Sequence, residues 1–129
     1  IQQLDLKDLL AYVDIVSIHA SSTHKNIHLL NKQNLSYLKK GTYLINTARG
    51  NLVCEETIIE LLDANILCGY AADVIDGELN KNNLNSMIFH NMKKYNILLT
   101  PHIGGCTSDA METTESMLAQ EFQKIIKIK

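Results

Sequence analysis

Thr42-Tyr43-Leu44-Ile45-Asn46-Thr47, then Glu55 to Ala64, then Leu67-Cys68-Gly69-Tyr70-Ala71-Ala72-Asp73-Val74 decide the fold. The outer two are compact apolar runs and read as buried strands. The middle one reads as a helix: Ile58, Ile59, Leu61 and Leu62 supply an apolar face, and Glu55 and Glu56 sit at its positive end. Strand, helix, strand in so short a span predicts two parallel strands joined by a helical crossover.

The alternation continues outward. Upstream, Leu4 to Val13 reads as a helix with Leu6, Leu9, Leu10 and Val13 on one face, followed by a strand over Asp14-Ile15-Val16-Ser17-Ile18-His19-Ala20. Asn31 to Leu38 reads as a helix ended by Lys39-Lys40-Gly41. Downstream, polar residues from Asp76 to Asn85 precede a weak helix over Ser86 to Met92 and a fourth strand, Asn96-Ile97-Leu98-Leu99-Thr100. Thr107 or Ser108 can cap a last helix on which Ala110, Met111, Thr114, Met117, Leu118, Phe122 and Ile125 keep helical spacing, with Lys124, Lys127 and Lys129 at its negative end. The expectation is an α/β fold over 1–129: one parallel sheet with helices on both faces.

Composition sets bounds. The chain has 129 residues, 46% hydrophobic and 20% charged, in the range of an ordinary globular domain. A net charge of −2 offers no basic face to nucleic acid and no polybasic stretch to a membrane, and no apolar run nears the roughly 18 residues of a membrane span. No signal peptide is legible at Ile1 to Lys7, and a start at Ile rather than Met reads as part of a longer protein. Cys54, Cys68 and Cys106 form no CxxC pair, so reduced cytoplasmic thiols are expected, with Cys106 a small buried residue.

Arg49 is the single arginine among twelve Lys and Arg residues. Where lysine serves every other positive charge, a lone guanidinium suits a rigid two-pronged grip on a carboxylate or phosphate, although capping a strand end is the simpler role. In an open parallel sheet, ligands bind beyond the carboxyl ends of the strands. That edge receives Arg49 after the second strand, Asp73, Asp76 and Glu78 after the third, and Pro101-His102-Ile103-Gly104-Gly105 after the fourth. An arginine can hold an anion, and a histidine can take or give a proton near neutrality. A neighbouring carboxylate can orient the imidazole, and glycines admit a ligand to the backbone. The set suits proton transfer on the hydroxyl or carbonyl of a small acid. His19 ends the first strand on the same edge, where it can line a nucleotide pocket or cap the strand. His24, His28 and His90 sit in polar or helical contexts and read as solvated.

These residues resemble the D-isomer-specific 2-hydroxyacid dehydrogenases. The anchors are Asp14-Ile15-Val16-Ser17-Ile18-His19, Leu38-Lys39-Lys40-Gly41, Ile45-Asn46-Thr47-Ala48-Arg49-Gly50, Ala71-Ala72-Asp73-Val74, Glu78 and Leu99-Thr100-Pro101-His102-Ile103-Gly104-Gly105. The offsets from arginine to glutamate (78 − 49 = 29) and to aspartate (73 − 49 = 24) also agree. The resemblance implies a Rossmann-type domain that binds NAD. Arg49 would hold the substrate carboxylate and polarise the C2 oxygen, His102 would be the acid/base, and Glu78 would hydrogen-bond it. Asp73 would hold the nicotinamide carboxamide, and His19, Thr47, Ala48, Gly104 and Gly105 would line the cofactor with Arg49 and His102. The substrate would be a small 2-hydroxy or 2-oxo acid, with the Thr100 to Thr107 stretch most like phosphoglycerate dehydrogenases and so serine biosynthesis. The parent protein would be a homodimer or homotetramer. An NAD-sensing corepressor of the related C-terminal-binding type would keep the same trio, and a chain of this extent could be inactive alone.

The sequence departs from the family pattern at Ser21 and Leu79, where proline is frequent, and at Asn51, where a frequent glycine is replaced by a residue able to mimic it at positive φ. G-x-G-x-x-G does not occur in it. The expectation is therefore the second part of an NAD-binding domain, carrying the catalytic residues without the glycine-rich loop or the substrate domain.

Overall fold

The computed structural model describes residues 2–78 and 85–127. Helix α1 (Leu6–Tyr12), strand β1 (Ile15–Ile18), α2 (Lys32–Leu35), β2 (Thr42–Asn46), a 3-10 turn (Gly50–Leu52), α3 (Glu55–Asp63), β3 (Leu67–Ala72), α4 (Met87–Asn91), β4 (Ile97–Leu99) and α5 (Ser108–Lys127) follow in order. The four strands form one parallel sheet in the order β1-β2-β3-β4. Leu79 lies outside the described residues, as do Ile1 and Lys129.

Local chemistry explains the boundaries. The helix α2 is shorter than its apolar spacing predicts: Asn31 caps it by accepting from Asn34 N at 3.1 Å, and the chain then tightens into bonds from Tyr37 N to Asn34 O and Leu38 N to Leu35 O. At the end of α3, Asn65 takes φ 54°, Ile66 N donates to Leu61 O and Asn65 N to Leu62 O, a left-handed cap that asparagine tolerates. Thr107, not Ser108, caps α5, accepting from Ala110 N at 3.2 Å.

The core is one-sided. Leu10 of α1, Leu35 of α2, Ile58 and Leu62 of α3 and Ile88 of α4 join Val16, Ile18, Leu44, Tyr70 and Ala72 in a single cluster. Burying each large aliphatic side chain of this kind contributes about 1.5–3 kcal/mol. Residues of the opposite sheet face stay outside it: Ile15 is 59% and Leu98 65% exposed. The expectation of helices on both faces thus holds for one face within the described residues. A sheet whose strands follow in sequence order, joined by crossovers of one hand, places its connections on the same side.

α5 forms where expected, but its apolar stripe is uncovered: Leu118 is 70% and Phe122 62% exposed. Cys106 is exposed rather than buried, because the loop that carries it projects beyond β4. Among the described residues, no helix is long and apolar enough to cross a membrane.

Candidate active site

The carboxyl ends of β2, β3 and β4 each deliver a fixed turn. At the end of β2, Asn46 is fully buried, and its amide caps the chain that follows: Oδ1 accepts from Ala48 N at 3.1 Å and Nδ2 donates to Arg49 O at 2.9 Å. Burial pushes the hydroxyl of Tyr70, on the neighbouring strand, up in pKa. The turn holds Arg49 in extended backbone with an exposed side chain. Its Nη1 donates to Ala48 O at 2.7 Å, and among the described residues it has no ion pair. The guanidinium is therefore available to an external anion.

Gly50 closes the next gap. A Cβ there would lie 2.0 Å from the carbonyl carbon of Ile75 and 2.2 Å from Asp76 N, so the loops after β2 and β3 touch backbone to backbone. Asn51 was expected at positive φ, but it lies in the 3-10 turn and is not left-handed; among the described residues the left-handed ones besides glycines are His28, Asn65 and His102. The tight approach is met by Gly50 instead.

After β3, Asp73 anchors the loop that carries His102. Its Oδ1 accepts from the Thr100 hydroxyl and from Ile103 N at 3.0 Å, and its Oδ2 accepts from Gly104 N at 2.8 Å. The Thr100 hydroxyl, the two amides and the nearby His102 hold its carboxyl below the ordinary range, against a smaller opposing effect of burial. A Cβ on Gly104 would lie 2.9 Å from Oδ2, so glycine there serves the anchor. Gly105 has open space around it.

His102 sits at φ 54°, a left-handed conformation that strains a non-glycine residue. Its Nδ1 meets Glu78 Oε1 at 2.8 Å, and Glu78 Oε2 accepts from Ile75 N at 3.4 Å. With Nδ1 bonded to a carboxylate it carries the proton, which leaves Nε2 as the basic nitrogen. Among the described residues Nε2 has no partner.

Three adjoining grooves run along this edge. One of about 430 Å³ is lined by His19, Ser21, Thr47, Ala48 and Arg49. A second, of about 240 Å³, holds Arg49, Asn51, Asp76 and Glu78. The third, of about 380 Å³, has Asp73, Glu78, Phe89, Leu99, Pro101 and His102 on its walls. Arg49 is shared by the first two and Glu78 by the last two, so the trough is a row of grooves none of which holds the whole expected trio, and of the three residues only Glu78 and His102 touch. His19 is on the same trough, and its Nε2 lies 2.8 Å from Ser17 Oγ. Asn46, Thr100 and Phe89 were missed by the sequence reading. Asn46 had a signal, since a polar residue closing a buried strand needs a partner.

The residues fit the nicotinamide end of a dinucleotide. A carboxylate has about four acceptor positions, and Asp73 uses three, leaving one on Oδ2 for an amide donor. Beside it the trough offers apolar walls, a basic nitrogen and an unpaired guanidinium. Among the described residues, no group of three or more His, Cys, Asp or Glu side chains is placed to hold a metal ion.

Residues 1–104 match the family model described as D-isomer specific 2-hydroxyacid dehydrogenase, NAD binding domain. The chain is 36% identical over 124 residues to the glyoxylate reductase of Thermofilum pendens, covering 95% of this chain and 35% of that protein. It is 34% identical over 124 residues to D-3-phosphoglycerate dehydrogenase of Haemophilus influenzae, covering 95% and 30%. Among solved structures, the NAD-complexed form of the D-isomer specific 2-hydroxyacid dehydrogenase from Lactobacillus delbrueckii ssp. bulgaricus superimposes with a TM-score of 0.79 at 26% identity, over 96% of this chain and 40% of that one. The chain thus spans about a third of the length of the curated relatives it matches.

Proposed function

The chain belongs to the D-isomer specific 2-hydroxyacid dehydrogenases, within their NAD binding domain, and from that membership we propose that it supplies the anion-binding and proton-transfer part of an NAD-dependent oxidoreductase acting at C2 of a small 2-hydroxy or 2-oxo acid. NAD, when bound, supplies the hydride acceptor or donor. Arg49 holds the substrate carboxylate and draws electron density from the C2 oxygen. Nε2 of His102 takes the C2 hydroxyl proton during oxidation and returns it during reduction. Glu78 fixes the tautomer through Nδ1 and offsets the positive charge that forms on the ring, as carboxylates do for catalytic imidazoles. The remaining acceptor position of Asp73 takes the nicotinamide carboxamide, and Thr47, Ala48, His19, Gly104 and Gly105 flank the cofactor.

The observation that carries this reading is the 2.8 Å pairing of His102 Nδ1 with Glu78 Oε1 beside an unpaired arginine. The pyrophosphate cradle and the substrate domain belong to a longer cytoplasmic chain, active as a homodimer or homotetramer. Among candidate acids, 3-phosphoglycerate is the first to test, supported by the Thr100 to Thr107 stretch. The experiment is steady-state reduction of glyoxylate, pyruvate and 3-phosphohydroxypyruvate with NADH by the full-length protein and its Arg49→Lys and His102→Asn variants. Loss of roughly 100-fold or more in kcat/KM is expected for each. An unchanged kcat/KM in Arg49→Lys would remove the role given to the guanidinium.

A further inference from the structure

Glu55 opens α3, where an acidic residue ordinarily serves its own helix through the dipole. Here its carboxylate bonds elsewhere. Oε1 accepts from Ser86 Oγ at 2.9 Å and from Asp76 N at 3.3 Å, and Oε2 accepts from Ser86 Oγ at 2.8 Å and Ile88 N at 3.3 Å. Ser86 is buried and in turn caps α4, accepting from Phe89 N at 3.3 Å. One side chain thus joins the start of α3, the turn after β3 and the start of α4. The turn it grips is the one that presents Glu78, since Asp76 N bonds Glu55 while the adjacent Ile75 N bonds Glu78 Oε2. Gly50 lets the loop after β2 lie against that same turn. Glu56, next in sequence, takes no part: its carboxylate accepts from the Cys54 thiol at 3.2 Å.

We propose that Glu55 is a positioning residue: by fastening Asp76 and the α4 start to α3, it sets Glu78 against His102 Nδ1 and Phe89 along the trough. The inference rests on the proposed function only for its catalytic consequence. The geometric part stands on the bonds themselves.

Glu55→Asp separates this from a helix-dipole role, because it keeps the charge at the start of α3 and loses the reach. The test is nitrogen-15 NMR of the His102 ring and amide exchange at Asp76 and Ile88 in this chain, with kinetics of the full-length protein. Expected in Glu55→Asp are loss of the hydrogen-bonded Nδ1–H signal of His102 and at least tenfold faster exchange at both amides. In the kinetics, kcat should fall roughly ten- to hundredfold with KM changed less than threefold, and Glu56→Gln should match wild type. Glu55→Gln, which keeps length and one acceptor oxygen, should recover part of the signal and rate. If Glu55→Asp fails to fold, Glu55→Gln decides alone by an intermediate loss in the same signals. Wild-type ring and amide signals in whichever variant folds, even with a lowered melting temperature, overturn the proposal. If instead the NMR changes appear while wild-type protein shows no turnover, the proposed function fails and the positioning role stands.

Discussion

Replacing Asn46 by alanine should remove the device that shapes the arginine turn. Two hydrogen bonds vanish, those to Ala48 N and Arg49 O, at 3.1 and 2.9 Å. Each is worth about 1 kcal/mol net. The amide also leaves space at a fully buried position. That space adds about 1 kcal/mol more, for a total near 3 kcal/mol. At roughly 3–5 °C per kcal/mol for a domain of this size, the melting temperature should fall by about 10–15 °C. Asn46→Asp should be no better at neutral pH, because it keeps the acceptor for Ala48 N but loses the donor and buries a charge. Urea and thermal unfolding followed by circular dichroism give the numbers, and amide exchange at Ala48 locates the effect. An Asn46→Ala stability within about 0.5 kcal/mol of wild type, the range of neutral surface changes, would refute the claim that this side chain holds the turn.

Three further outcomes follow from the geometry. Gly50→Ala drives a methyl group into the Ile75–Asp76 backbone, 2.0–2.2 Å away, and should cost more than the about 1–3 kcal/mol of ordinary overpacking; a wild-type urea midpoint would contradict the contact. The Asp73 carboxyl lies below the ordinary aspartate range, so its stabilisation is complete above the unfolded value of about 3.9 and is lost as pH falls through the lower folded value. Amide signals of Ile103 and Gly104 should accordingly persist down to about pH 4, and their loss already at about pH 6 would exclude the carboxylate as their acceptor. Leu118→Glu and Phe122→Glu on α5 should each change stability by less than about 0.5 kcal/mol, since both side chains are exposed; a drop in melting temperature of several degrees would mean that α5 packs in solution.

The strands were legible because each is a short apolar run closed by turn-forming or polar residues, and the edge that receives Arg49, Glu78 and His102 followed from their direction. What escaped was information that sequence periodicity does not hold. The spacing of Met111, Leu118 and Phe122 marks a helix face but says nothing of whether this chain supplies a surface for it. The strand pattern likewise gives no count of helices per face; that depends on strand order, which here runs in sequence. Cys106 was misread because small apolar residues are usually buried, whereas it lies exposed in the turn closed by its own N–H on Ile103 O. Asn51 was misread because positive φ was assigned from residue type, while the close approach there is met by Gly50. Asp73 was expected from the resemblance to face a cofactor; most of its acceptor capacity goes to the chain's own hydroxyl and amides.

The left-handed backbone of His102 changes how the residue can be interrogated. Alanine, the usual probe of a catalytic side chain, is ill suited to φ 54°, so His102→Ala would merge the loss of an imidazole with the relaxation of a loop. Asparagine visits that conformation readily and keeps a polar side chain without an acid/base group. In a mutational scan the two substitutions at position 102 should therefore diverge, and only the asparagine variant removes the imidazole without disturbing the backbone conformation.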